Sequence, residues 1–129
     1  MDKRIIITAS ILGFFGVLLG AFAAHGLQSL VTEKEIASFQ TGVRYQFYHA
    51  FLLLFIGSSA CIGEFFKKRI YVLVLVGTIF FSGSIYILTL DQYIIGQNLK
   101  AIAFITPIGG LLLLAAWALL FVGMLKKKN

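Results

Sequence analysis

The sequence predicts an all-α fold: a polytopic membrane protein with four transmembrane helices in a bundle and a short amphipathic helix in the first outer connection. Three observations predict it. Sixty per cent of the 129 residues are hydrophobic and only 12% are charged, with a mean hydropathy of +0.97. The charged residues gather at Asp2 to Arg4, Glu33 to Arg44, Glu64 to Arg69, Asp91 to Lys100 and Lys126 to Lys128. Between them lie four uncharged windows, Ile5 to Ala24, Tyr45 to Gly63, Ile70 to Leu90 and Ala101 to Leu125. Each is close to or above the roughly 20 residues a helix needs to cross about 30 Å of hydrocarbon. Runs such as Ile70 to Ile79 do not alternate apolar and polar residues, as the strands of a membrane barrel do.

The composition excludes other classes. Apolar side chains this abundant do not stay disordered. A single cysteine builds no disulfide framework. A soluble body this small has too little interior to hide so much apolar surface. The chain reads as one domain, residues 1–129.

The first helix is expected at about 5–25. Lys3 and Arg4 ahead of an apolar run, with Ala21-Phe22-Ala23 after it, resemble a signal peptide. The run from Ile5 to Gly20 exceeds the usual signal-peptide core of about 7 to 15 residues, so an uncleaved helix is favoured. Gly13, Gly16, Gly20 and Ala24 form a stripe of small residues along it. Such stripes let helix backbones approach closely in lipid, either inside one bundle or in a homo-oligomer.

Next, Thr32 to Glu35 reads as a capping box, and Ile36, Phe39 and Val43 follow at helical spacing. This predicts an interfacial helix at about 33–41, entering the second membrane helix (about 43–63) with Gly42 as a bend. Gly42, Tyr45, Gln46, His49 and Leu53 share one face of that second helix, expected to point into the bundle. Cys61, near its end, is expected in a small buried apolar role. The third helix is expected at about 70–90 and the fourth at about 101–125, with Gly109 and Gly110 as packing positions. Pro107 lacks an N–H and frees the carbonyl near Ala103, which Thr106 or a water could satisfy.

Four crossings place Lys3, Arg4, Lys67, Lys68, Arg69, Lys126, Lys127 and Lys128 on one side, against Lys34, Arg44 and Lys100 on the other. Lys/Arg-rich short connections stay in the cytoplasm, which makes both termini cytoplasmic in a cell (inner) membrane. The formal net charge of +6 falls wholly on that side once acids are counted too. It therefore reads as a topology signal with attraction to anionic lipid headgroups, and not as a nucleic-acid footprint.

This topology collects His25, Arg44, Tyr45, Gln46, His49, Ser82, Ser84, Tyr86 and Thr106 in the outer half. Polar groups in lipid face inward and find partners. Two readings stand: a satisfied hydrogen-bond network that sets bundle register, or an outward-facing pocket of a small-solute or lipid-binding transporter or channel. His25 and His49 could also hold a metal or haem, but no acidic residue lies in the windows to orient them. Arg44 either snorkels to the interface or binds a lipid phosphate. Nucleotide loops, Ser/His/Asp sets and paired intramembrane carboxylates are absent. No cofactor is expected, and a non-enzymatic protein is.

Four segments then stand out in order: Gly20 to Leu27 (GAFAAHGL), Phe39 to Ala50 (FQTGVRYQFYHA), Phe81 to Tyr86 (FSGSIY) and Thr106 to Gly110 (TPIGG), with Trp117 beyond. On these motifs the chain resembles, over nearly its whole length, the small bacterial membrane proteins of domain of unknown function 423, also called uncharacterised protein family 0382. Eukaryotic transmembrane protein 256 is similar. The resemblance implies a polytopic inner-membrane protein with no established reaction and a general role in membrane or envelope integrity.

Overall fold

A computed structural model describes residues 2–91 and 100–126. The connection between them and the terminal lysines 127 and 128, which carry part of the charge count, lie outside the described residues. Everything described is helical or turn, without a strand. Helix α1 spans Lys3–Ala24, α2 Glu33–Ser58, α3 Glu64–Thr78, α4 Ser84–Leu90 and α5 Ile105–Lys126. A π-helical segment, Ile79–Gly83, joins α3 to α4 without a break, and a 3-10 segment, Lys100–Phe104, leads into α5.

Each start has a local cause. The Asp2 carboxylate accepts from the N–H groups of Arg4 and Ile5 and caps α1. Thr32 and Glu35 form the expected capping box of α2. What the box opens is one helix. The expected interfacial helix at 33–41 runs directly into the second window through Gly42. α2 then ends at Ser58, short of 63, because Ser59 turns extended and its hydroxyl accepts from the N–H of Cys61. Cys61 consequently lies in an exposed turn, not in the expected buried role. Pro107 falls in the first turn of α5, where its missing N–H is no loss. The change from 3-10 to α geometry occurs just before it, and the Thr106 hydroxyl pairs with Ser84, not with a freed carbonyl.

α1 and α2 run antiparallel, as do α3 and α5. At the terminal end, Asp2 N–H donates to the Gly57 carbonyl and joins the start of α1 to the end of α2. Here Ile5, Ala9, Leu53, Ile56, Ile70, Val74 and Ala116 form one apolar core. Thr8 adds a hydroxyl contact to Tyr71 of α3, at 2.8 Å. Lys67 was expected as one of the cytoplasmic-side cations. It is buried, and its Nζ donates to the Ser59 carbonyl at 2.9 Å, a cation on the C-terminus of α2. At the opposite end, Ala23, Leu27, Phe39 and Val43 form a second core.

Glycines mark the closest approaches. A Cβ on Gly109 would overlap the backbone of Phe80 and Phe81 in the π segment, and one on Gly16 would stand 2.9 Å from the Phe47 ring. Gly20 makes an ordinary contact with Val43, and Gly110 with Phe81. The expected stripe is thus only partly a packing face inside the bundle. Gly13 has open space before it, and Ala24 is exposed while its neighbour Ala23 is fully buried. The reason is geometric: Gly16, Gly20 and Ala23 turn toward α2 and the segment that leads into it.

Among the described residues, three helical stretches are long and apolar enough to cross a membrane: Lys3–Ala24, Glu64–Leu90 and Ala101–Lys126. α2 is not one of them, because Arg44, Gln46 and His49 interrupt its apolar run.

Candidate functional site

The polar side chains meet in a layer between the two apolar cores, organised by one face of α2. Spacing at i, i+3, i+4 and i+7 predicts that face, and Gly42, Gln46, His49 and Leu53 are all buried. Gln46 sits at its centre. Its Nε2 donates to the Leu12 carbonyl of α1 at 2.7 Å, and its Oε1 accepts from the Tyr86 hydroxyl of α4 at 2.7 Å. One side chain therefore ties three helices. The Leu12 contact fixes which way the amide points, since a carbonyl only accepts, and the phenol then donates to Oε1.

Gly42, one turn earlier, has two roles. A Cβ there would stand 2.8 Å from the Tyr86 ring, so only glycine leaves room for that ring. Its carbonyl also accepts from the buried Ser82 hydroxyl at 2.7 Å. Ser82 lies within the π segment, whose extra residue per turn re-aims side chains relative to a regular helix. Ser84 donates to the Phe81 carbonyl and shares a hydroxyl contact with Thr106, linking α4 to the start of α5.

His49 has both ring nitrogens engaged. Nδ1 lies 2.7 Å from the Tyr45 carbonyl, and Nε2 accepts from Trp117 Nε1 of α5 at 3.1 Å. A carbonyl cannot donate and an indole cannot accept, so the neutral Nδ1–H tautomer satisfies both partners. A metal or haem at His49 would first have to displace Trp117. His25, its proposed co-ligand, is exposed just beyond α1. Among the described residues there is no group of three or more His, Cys, Asp or Glu that could hold a metal ion.

The structure therefore brings together Gln46, His49, Ser82, Ser84, Tyr86 and Thr106, and leaves out His25 and Arg44. Arg44 lies on the exposed side of α2, where its guanidinium bonds Thr41 at 3.1 Å. Tyr45 stands at the edge, 39% exposed, with its ring against Phe81. Trp117 was recognised only as part of a motif and emerges as the partner of His49. The buried Thr78 hydroxyl, one residue before the π segment, has no hydrogen-bond partner among the described residues.

Beside the layer lies an open groove of about 590 Å³. Tyr45, His49, Phe81, Pro107, Leu114 and Trp117 contribute to its lining, which is mainly apolar.

Comparison with known proteins places the sequence in a family. The sequence profile described as "Protein of unknown function (DUF423)" matches residues 19–110, a stretch that contains all the layer residues of α2, the π segment and α4. The UPF0382 membrane protein of Haemophilus influenzae is 36% identical over 129 residues, covering 100% of this chain and 99% of that protein. The UPF0382 inner membrane protein YgdD of Escherichia coli K12 is 40% identical over 131 residues, covering 99% and 94%. A UPF0382 membrane protein of Staphylococcus haemolyticus is 36% identical over 124 residues, covering 96% and 97%. No solved structure matches. The chain belongs to the DUF423 family, the UPF0382 membrane proteins.

Proposed function

We propose that this chain is a non-enzymatic, four-crossing protein of the inner membrane, with both termini cytoplasmic, that supports membrane or envelope integrity. The observation that carries the reading is the closure of the polar layer. Gln46, His49 and Ser82 are buried and each is bonded to a neighbouring helix. A layer spent on mutual contacts fixes how helices sit and leaves no set of free acids, bases or nucleophiles.

The fourth crossing rests on α2. It lies along α1 from the Asp2–Gly57 contact at one end to Leu27 and Phe39 at the other. A helix that parallels a membrane span over its length shares its environment. The outward side of α2 agrees, for Tyr48, Phe51, Leu54 and Phe55 are exposed apolar or aromatic residues. With four crossings, Lys3, Arg4, Lys67, Lys68, Arg69 and Lys126 share one face, which favours a cytoplasmic terminal end attracted to anionic headgroups.

Reporter fusions at both termini and within the first connection test the topology. The expected result is cytoplasmic ends and an external connection. Deleting the protein is expected to raise envelope permeability to a normally excluded dye, with restoration by the intact chain. Substrate turnover by purified protein, abolished by His49→Ala with the fold intact, would contradict the non-enzymatic reading.

A second reading has its own observation. The groove beside His49 and Trp117 favours a protein that binds a lipid or small apolar solute. Leu114→Trp, which fills the groove, leaves permeability unchanged under the structural reading and reproduces the deletion under this one.

A further inference from the structure

At the terminal end, α3 and α5 leave a second groove, of about 530 Å³, lined by Phe65, Lys68, Arg69, Val72, Leu73 and Leu119. We infer that this groove seats one anionic phospholipid, its phosphate between Lys68 and Arg69 and one acyl chain along Val72, Leu73 and Leu119. The inference rests on the proposed crossing of α3 and α5.

The arrangement follows from helical spacing. Val72 is one turn beyond Lys68, and Leu73 one turn beyond Arg69, so each cation stands directly above an apolar side chain. One turn advances about 5.4 Å along the helix, the step from headgroup toward hydrocarbon. Leu119 closes the groove from α5. The three consecutive cations are used differently. Lys67 turns inward to the Ser59 carbonyl and lies 3.9 Å from Glu64, the acid nearest the cluster on α3. Among the described residues, Lys68 and Arg69 have no anionic partner. Arg69 is nonetheless held in place, with its guanidinium 4.2 Å from the centre of the Phe65 ring. A fixed guanidinium beside a lysine and above an apolar channel is complementary to a phosphate that carries an acyl chain.

Native mass spectrometry of the full chain released from detergent tests this, with phosphatidylglycerol or phosphatidylcholine of identical chains added. The expected result is one retained phosphatidylglycerol per chain and little phosphatidylcholine. In Lys68→Gln/Arg69→Gln the apparent affinity for phosphatidylglycerol is expected to fall about 30-fold, roughly fivefold for each cation lost near an anionic surface. Leu119→Trp, which fills the channel without changing charge, is expected to lower retention as well. Lys3→Gln/Arg4→Gln removes the same charge elsewhere at this end and is expected to leave it unchanged. Equal retention of both lipids, an unaltered Lys68/Arg69 variant, or an equal loss in the Lys3/Arg4 control would overturn the site. Retention in detergent does not depend on orientation, so a negative result here leaves the reporter-mapped topology standing, and an inverted topology leaves this result standing.

Discussion

At the terminal end the helices meet through Ile5, Leu53, Ile56, Ile70, Val74 and Ala116, whereas in the middle α2 meets its neighbours through Gln46, His49 and the carbonyl of Gly42. The first kind of contact is non-directional. In lipid, moreover, apolar side chains gain little by leaving the surrounding hydrocarbon, so what remains is van der Waals fit. The second kind is directional: Gln46 reaches Leu12 and Tyr86 only in one register of α1, α2 and α4. The difference teaches that fit and register are separate tasks in this bundle. Glycines at close approaches set the fit, and the polar layer sets the register.

That division can be broken most severely at Gly109. Gly109→Val drives a branched side chain into the backbone of the π segment, so α5 has to move away. The expected loss is about 3 kcal/mol, at the upper end for overpacking. It is measured as reversible unfolding in mixed micelles of rising SDS content, followed by Trp117 fluorescence. Gly42→Ala probes the place where fit and register coincide, because the new methyl displaces the Tyr86 ring. A loss of about 2 kcal/mol is expected in the same titration, and adding Tyr86→Ala, which opens the space, is expected to recover part of it.

Gln46→Leu and Tyr86→Phe isolate register. Their double-mutant cycle is expected to give a coupling of about 0.6 kcal/mol, the average for hydrogen bonds between membrane helices. A cycle of the same size between Ile56→Val and Val74→Ala in the apolar core would erase the distinction. At the bottom of the scale stands Gly13→Ala, which meets nothing. It is expected to change stability by less than about 0.5 kcal/mol, and a large loss there would reveal a partner helix, such as that of a second copy.

Much of this was legible in the sequence wherever a single helix carries the signal. The capping box of α2, the buried face through Gly42, Gln46 and His49, and the apolar windows all depend on spacing within one element. Pairings between elements left no such trace. Trp117 and His49 are 68 positions apart, and a lone tryptophan has no periodicity of its own. His25 and Arg44 were grouped with the layer by depth along the helix, but depth does not report direction, and both are exposed. Lys67 was read with its basic neighbours as a topology signal only. The missed signal was its phase, three residues before Ile70 and seven before Val74, on the buried stripe of α3. The π segment has no composition cue beyond Gly83 between two serines.

The claim on which the rest depends is that the polar layer is closed by its own side chains and does not open into a water path. It is tested most directly by placing single cysteines at Ala50 and Leu53, both buried below the layer on α2, in a Cys61→Ala background. A membrane-impermeant maleimide is then applied to each side of sealed vesicles. The account predicts no labelling at either position from either side, while the exposed Cys61 of the unaltered chain reacts from one side. Labelling at Leu53 at a rate near that of Cys61 would contradict it.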